Sequence, residues 1–216
     1  MILKRVKASR FPNRVVLYFD NNFVIPLFID DYVRLQLKSG FDYDHEMLAT
    51  IVNASLGFLL RDYSLRQIAM SPKTKTILSR KIKMKLNQLL SKYKVPQDLT
   101  PTSDLIDREL AYIESTGLID NRQYIESYIR RHPQHSKALI IQGLRAQGVS
   151  VTPDELLGFD LGSNRLKIHR LLQKKRFSRE LLSDPKSKNK ILAFLARKGF
   201  SYDEIRSAID DYLQNQ

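Results

Sequence analysis

The chain has 216 residues, enough to bury a sizeable core without disulfides or a bound metal. It contains no cysteine, which excludes disulfides, zinc thiolate sites and thiol catalysis and fits a reducing cytoplasm. Lys and Arg number 36 against 23 Asp and Glu, and the formal net charge of +13 favours polyanionic partners. No apolar run reaches the ~18 residues of a membrane span, and no signal peptide is apparent, so we expect a cytoplasmic protein without membrane contact.

Two apolar runs near the start of the chain predict a β-hairpin. Residues 15–19 and 23–28 are separated by Asp-Asn-Asn, residue types that tolerate the positive φ of a tight turn. Pro26 cannot donate a ladder hydrogen bond, so its strand is expected at a sheet edge. Short helices are predicted next, over Asp31–Lys38 and Tyr43–Val52, with Gly40 between them.

From about Phe58 onward the pattern predicts helices. One predicted helix carries its apolar residues on a single stripe, formed by Leu78, Ile82, Leu86 and Leu89. The last helix has the same periodicity in Ile205, Ala208, Ile209, Tyr212 and Leu213. It begins with the capping-box spacing of Ser201 and Glu204, which satisfies backbone donors at a helix start.

A short stretch occurs twice, as Leu-Arg-Ala-Gln-Gly-Val-Ser from Leu144 and as Leu-Ala-Arg-Lys-Gly-Phe-Ser from Leu195. Each copy indicates a helix end closed by glycine. Three Pro-centred turns, near Pro72, Pro133 and Pro185, each precede an apolar helix that Thr74, Ser136 or Ser187 can cap. A third helix is expected in each unit, at Asp104–Ser115, weakly at Pro153–Leu157, and at Tyr202–Leu213.

These repeats predict a mainly α protein with three tandem three-helix repeats in an elongated arc, behind a small N-terminal β-hairpin and helix segment. The predicted divisions are 1–57 for the N-terminal segment and 58–117, 118–164 and 165–216 for the three repeats.

Cations cluster in two regions of the predicted repeats. Between Arg61 and Lys94 there are ten cations against one acid, and between Arg165 and Lys190 ten against two. A solvated surface remains an alternative for either run, but clustering favours contact with a phosphate backbone or an acidic protein groove. The predicted DNA- or protein-binding residues are Lys73, Lys75, Arg80, Lys81, Lys83, Lys85, Arg130, Arg131, Lys174, Lys175, Arg176, Arg179, Lys186, Lys188 and Lys190.

Catalytic chemistry is not indicated. His132 and His135 lie on a proline turn without a nearby carboxylate, so no metal site is expected. Neither a nucleophile elbow nor a phosphate-binding glycine loop occurs. We therefore expect no catalytic residues, no cofactor and no enzyme activity. Tyr124 and Tyr128, four residues apart on a helix, are interpreted as packing residues rather than as base-stacking platforms.

The residues from Thr116 to Arg130, which include Gly117-Leu118-Ile119-Asp120, followed by the Leu144 heptad, resemble the central repeat of the RecX regulatory proteins. Lys198-Gly199-Phe200-Ser201-Tyr202-Asp203-Glu204-Ile205-Arg206 resembles the C-terminal repeat of that family. The resemblance covers about residues 58–216. Two features depart from the family pattern, Asn121-Arg122-Gln123-Tyr124-Ile125 after the Ile-Asp step and a long loop at 95–101.

The resemblance implies a monomeric, non-enzymatic regulator that binds the RecA recombinase filament on DNA and inhibits it, in homologous recombination and the SOS response. The implied nucleic acid is single-stranded DNA without sequence preference, and binding to double-stranded DNA stays open. The alternative is a helix-turn-helix-like transcription factor on duplex DNA, which would read bases with one recognition helix. The basic residues are spread over several units, and no single helix stands out.

Overall fold

A three-stranded antiparallel sheet opens the chain, with β1 at Leu3–Ala8, β2 at Arg14–Phe19 and β3 at Val24–Phe28 in spatial order β1-β2-β3. The computed structural model describes residues 1–177, 181 and 184–214. The predicted hairpin is confirmed as β2 and β3, and the strand of Pro26 is indeed an edge. Strand β1 was missed because its Leu-Lys-Arg-Val-Lys-Ala sequence is mostly polar and mostly exposed.

Four α-helices follow the sheet in the N-terminal half. They are α1 at Ile29–Arg34, α2 at His45–Met70, α3 at Lys75–Tyr93 and α4 at Asp104–Ser115, with a 3-10 turn at Gln97–Leu99 before α4. The bounds predicted for the two short helices, Asp31–Lys38 and Tyr43–Val52, are therefore wrong.

Local backbone geometry explains these corrections. Helix α1 ends before Gln36, whose φ of 50° is left-handed and cannot continue a right-handed helix. Helix α2 has no proline over its length, so it continues well past Val52. Gly57 lies inside α2 and faces α4, where a Cβ would come within 3.0 Å of Glu109 Oε1. The division predicted between residues 57 and 58 consequently falls within one continuous helix.

One apolar core joins the sheet to α2, α3 and α4. Alternate residues of β2, Val15, Leu17 and Phe19, are buried in it. The predicted stripe of α3 is buried as well, which confirms the helical periodicity in that segment. These elements form the first of two compact units of the chain, Met1–Asp120.

The second compact unit, Asn121–Gln216, is helical wherever the structure describes regular elements in it. The α-helices whose bounds the structure describes are α5 at Asn121–Arg131, α6 at Lys137–Ala146, α7 at Asn164–Lys174, α8 at Pro185–Ala196 and α9 at Tyr202–Gln214. The weak helix predicted at Pro153–Leu157 is a 3-10 turn at Glu155–Gly158. A buried cluster joins α7, α8 and α9; it contains Ile168, Leu171, Leu172, Ile191, Leu195, Phe200, Ile205, Ala208, Ile209 and Tyr212.

Most of the predicted helix caps are confirmed. Thr74 and Ser136 accept backbone N–H groups at the starts of α3 and α6, both at 3.1 Å. Ser201 accepts the N–H of Glu204, while the Glu204 carboxylate accepts the N–H of Ser201, as in a capping box.

Ser187 was the wrong choice for the third Pro-centred turn. Helix α8 already begins at Pro185, which suits the first helical position because its fixed φ is helical and its missing N–H would have no partner there. The residue before it is therefore the cap, and Asp184 accepts the N–H of Ser187 at 2.9 Å. Hydrogen bonds from the Ser187 hydroxyl and from its N–H lower the pKa of the Asp184 carboxyl.

The duplicated heptad closes its two helices in the same way. Gly148 and Gly199 have φ of 80° and 84°, a conformation that costs glycine little. The N–H groups of the next residues, Val149 and Phe200, return to the carbonyls of Leu144 and Leu195. Both following side chains are buried, so each copy turns the chain and also anchors it to the core.

The mainly α class with an N-terminal β segment is confirmed. The division into an N-terminal segment and three repeats, and their arrangement in an arc, stay predictions. Within the described residues, no helix combines the length and the apolar character needed to cross a membrane.

Candidate nucleic-acid and protein interface

Helix α3 distributes its cations around the buried stripe. Arg80 is exposed opposite the stripe, Lys83 is exposed on one flank, and Lys81 and Lys85 are half-buried on the other flank. The Nζ of Lys85 lies 5.4 Å from the ring centre of Tyr63 on α2. The predicted α3 cations therefore point in at least three directions and do not form one row.

Two more predicted cations lie at the start of α3. Lys73 donates from Nζ to the Ser71 carbonyl at 2.8 Å and also contacts the Ser71 hydroxyl. Lys75 is paired with Glu114 of α4 at 2.9 Å. Because Lys75 already has an acidic partner, a phosphate would have to compete with Glu114 for it.

Arg130 and Arg131 end helix α5 as exposed side chains next to a stack of aromatic rings. The ring centre of Tyr128 lies 4.4 Å from that of His132 in a tilted contact, and His132 stacks on His135 with 4.7 Å between the ring centres. Tyr128 packs over Gly143 of α6, where a Cβ would clash with its phenol oxygen. This arrangement supports the interpretation of the tyrosines as packing residues.

Burial lowers the pKa of both His132 and His135, and the positive side chain of Lys198 lowers each of them further. Among the described residues, no three His, Cys, Asp or Glu side chains lie close enough to hold a metal ion. Both imidazoles are therefore harder to protonate than a free histidine side chain.

Helix α7 carries a row of three cations at helical spacing. Lys167, Arg170 and Lys174 line a small pocket of about 210 Å³ together with Pro133 and Gln134. Lys167 is 8% exposed, and its Nζ donates to the carbonyl of His135 at 2.8 Å. Burial lowers the pKa of Lys167. The two outer cations of the row, Arg170 and Lys174, are exposed and can contact an anion.

Helix α8 presents two further exposed lysines on one side, because Lys186 and Lys190 are four residues apart. Lys188 is exposed on a different side of the helix. None of these three lysines forms an ion pair with an acid of the described residues. They are therefore available to a polyanion.

The remaining predicted cations follow α7. Lys175 caps the end of that helix, and its Nζ lies 5.7 Å from the ring centre of Phe194. Arg176 is exposed with a left-handed φ of 53°. Arg179 lies outside the described residues. The structure therefore places Lys174, Lys175 and Arg176 together at the end of α7.

Four cations on or beside the open face of the N-terminal sheet were not predicted as binding residues. Arg5 and Lys7 lie on β1, Arg10 lies in the turn after it, and Arg14 begins β2. Arg5, Lys7 and Arg14 share the open face of the sheet, as the register of β1 and β2 requires. Alternation of cations with other residues in a predicted strand would have found them, but β1 was not predicted.

The chain is similar to known proteins, both in the helices α7, α8 and α9 and along nearly its whole length. The profile of the RecX third three-helix domain matches residues 167–209, which include most of α7, all of α8 and part of α9. A regulatory protein RecX of Finegoldia magna is 22% identical over 212 residues, covering 94% of this chain and 96% of that protein. A regulatory protein RecX of Clostridioides difficile is 22% identical over 218 residues, covering 99% and 96%.

Solved structures show the same fold. A crystal structure of regulatory protein RecX has a TM-score of 0.59 and 19% identity, covering 97% of this chain and 98% of that one. The structure of RecX from Lactobacillus salivarius has a TM-score of 0.53 and 23% identity, covering 74% and 97%. These findings confirm the predicted resemblance: residues 167–209 match the RecX third three-helix domain, and the chain is similar to RecX regulatory proteins along nearly its whole length.

Proposed function

We propose that this protein is a RecX-type regulator that binds the RecA filament on single-stranded DNA and inhibits the recombinase. The observation that carries the proposal is the similarity to proteins named regulatory protein RecX over 94% of the chain or more. The exposed cations of α3, α7 and α8 support it, because both DNA and an acidic groove of a protein filament would attract them.

The proposed role of the cations is electrostatic. Each Lys or Arg that neutralises a phosphate releases condensed counterions, so affinity falls steeply with salt. Phosphate contacts fix the position of a protein on the nucleic acid but carry no sequence information. We therefore expect binding without sequence preference and with a strong dependence on ionic strength.

A chain with two compact units can engage neighbouring filament subunits at once. Two weak contacts on one chain reinforce each other, because the second forms at a high effective concentration. Inhibition would follow from blocking subunit addition or nucleotide turnover within the filament. On this account the regulator needs no catalytic residues of its own.

The direct test is binding to RecA filaments assembled on immobilised single-stranded DNA with a non-hydrolysable ATP analogue. The wild-type protein is expected to be retained by the filaments. The double variant Lys186→Gln/Lys190→Gln is expected to bind more weakly, with a log–log salt slope smaller by about 1.4 if both lysines contact single-stranded phosphates.

Arg145→Gln/Arg206→Gln is the matched control, because it removes two exposed charges from other helices of the same unit. Retention equal to that on empty beads would overturn the proposal. A strong preference for one duplex sequence, with no retention on filaments, would instead support the transcription-factor alternative.

A further inference from the structure

A groove of about 570 Å³ runs along the first compact unit, between the open face of the sheet and helices α2 and α3. Its walls come from the turn between β1 and β2, from the outward residues of β2 and β3, and from the second halves of α2 and α3. We call it the sheet–helix groove. Its lining combines positive charge with aromatic rings.

Five cations and one acid line the sheet–helix groove, and the cations are Arg10, Arg14, Arg66, Lys85 and Lys92. The acid, Asp62, already has two partners, since its carboxylate lies 3.1 Å from Arg14 and 3.0 Å from Arg66. The groove therefore keeps an excess of positive charge. Low-dielectric walls concentrate such a field and attract anions.

Arg14 supplies an unsatisfied donor in this lining. Its side chain is 15% exposed, and its Nε is buried without a hydrogen-bond partner. Buried donors of this kind are rare in folded proteins and call for an explanation. Arg14 also lies against two rings, 5.0 Å from the centre of Phe58 and 5.5 Å from that of Phe11.

Four aromatic side chains line the same groove, and three of them carry a groove cation near the ring. Phe11 is 51% exposed at the turn and has Arg10 at 5.1 Å from its centre. Tyr63 has Lys85 at 5.4 Å, and Tyr93 has Lys92 at 5.2 Å. Tyr18 is half-buried on β2. Solvent-accessible rings beside cations suit a ligand with both flat π-faces and phosphates.

We propose that the sheet–helix groove binds single-stranded nucleic acid, with bases stacked on its aromatic rings and phosphates on its cations. Unpaired bases expose their faces for such stacking, whereas duplex bases are already stacked on their neighbours. An acidic peptide would use the cations but would leave the rings without a partner. The N-terminal sheet segment thereby gains a binding role.

This groove site rests on the proposed function, which brings the protein to single-stranded DNA. It would contact that DNA in addition to the exposed cations of α3, α7 and α8. It concerns the free protein and the free strand, so it is tested without RecA. Its failure and the failure of filament regulation can therefore be told apart.

The experiment measures the fluorescence anisotropy of a labelled oligothymidylate of about 20 nucleotides, longer than the ~4–16 nucleotides that one single-strand-binding fold occupies. The full chain is used at low salt. Phe11→Ala is expected to weaken binding about tenfold, within the range found for loss of one stacking ring. Phe11→Tyr is expected to retain wild-type affinity because a ring is kept.

Phe41→Ala is the matched control. Phe41 is 56% exposed in the same unit and has Lys38 at 5.9 Å from its ring centre, but it does not line the groove. Binding within about twofold of wild type is expected for this variant, since it removes no stacking platform of the groove. Circular dichroism of each variant checks that the fold is retained.

Several outcomes would overturn the inference. Equal affinities of Phe11→Ala and Phe41→Ala for oligothymidylate would exclude a stacking role for Phe11. The same conclusion would follow if a duplex of equal length bound as tightly as oligothymidylate and lost as much affinity in Phe11→Ala. A variant that loses RecA binding in the absence of DNA while it keeps oligothymidylate binding would make the groove a protein site. Oligouridylate is measured alongside, and Phe11-dependent binding of either strand supports the inference, with the tighter strand identifying the source as DNA or RNA.

Discussion

Replacing Gly199 by alanine tests how the duplicated heptad holds the second unit together. Gly199 has a φ of 84°, and a Cβ on it would lie 2.6 Å from both the Leu139 Cβ and the Ser136 Oγ. Ser136 is fully buried at the start of α6, and its N–H donates to the carbonyl of Lys198 at 2.9 Å. Alanine must therefore push the turn after α8 away from the start of α6.

Two costs add at this position. A residue with a Cβ in the left-handed region loses about 1–2 kcal/mol. Overpacking against side-chain atoms that are fixed to the backbone adds about 1–3 kcal/mol. We expect Gly199→Ala to lower the free energy of unfolding of the second unit by about 2–5 kcal/mol.

Gly162→Ala is the matched control for backbone strain. Gly162 lies in the same unit with a φ of 64°, but a Cβ on it would meet no atom within 4 Å. Only the first cost applies to it, so the two variants should differ by about 1–3 kcal/mol. For a unit of 60–100 residues this difference corresponds to roughly 4–24 °C in Tm.

The assay is urea and thermal unfolding of the full chain followed by circular dichroism, with amide hydrogen exchange of α6 as a local readout. Gly199→Ala should unfold earlier than Gly162→Ala and should lose protection in the first turn of α6. Equal destabilisation of the two variants, with unchanged exchange in α6, would refute the close packing between the turn and that helix.

Three further predictions concern stability. Glu109→Gln should lower the free energy of unfolding by about 1–3 kcal/mol, because the Glu109 carboxylate is 1% exposed and accepts a hydrogen bond from Nε of Arg61 at 2.9 Å. The loss is limited because Arg61 is 38% exposed and regains some solvation. Ser201→Ala should cost about 1 kcal/mol by removing the cap of α9. Because the pKa values of His132 and His135 are lowered, mainly by burial, the unfolded state binds more protons, and stability should fall as the pH drops through about 6.5, the ordinary histidine pKa.

Urea midpoints check all three predictions. Ser207→Ala, at an exposed position within α9, is the control for the cap and should change stability by less than about 0.5 kcal/mol. The double variant His132→Gln/His135→Gln should flatten the acid limb of the stability curve. An unaltered limb in that variant, a neutral Glu109→Gln, or equal effects of the two serine variants would contradict the corresponding argument.

The helices with strong periodicity could be predicted from the sequence, and those defined by tertiary packing could not. Helix α9 combines a capping box with a clean apolar stripe, so its local signals agree with its packing. Strand β1 is polar on most positions and exists because β2 offers it an edge to pair with. The helix end predicted at Val52 is wrong because α2 continues through Gly57, which packs closely against α4.

Part of the candidate interface could likewise be predicted from the sequence, and part depends on tertiary packing. Exposure of Lys186 and Lys190 follows from their places on α8, which the apolar pattern fixes. The sheet–helix groove joins residues as distant in sequence as Phe11 and Tyr93. No local pattern predicts such a juxtaposition, because it depends on how the sheet packs beside α2 and α3.

Regulation of RecA is tested most directly by the rate of single-stranded-DNA-dependent ATP hydrolysis by RecA as the protein is titrated in. We expect the rate to fall as the protein approaches stoichiometric amounts, and we expect Lys186→Gln/Lys190→Gln to inhibit less than Arg145→Gln/Arg206→Gln. A rate that stays unchanged at stoichiometric amounts of wild-type protein would contradict regulation of RecA by this protein.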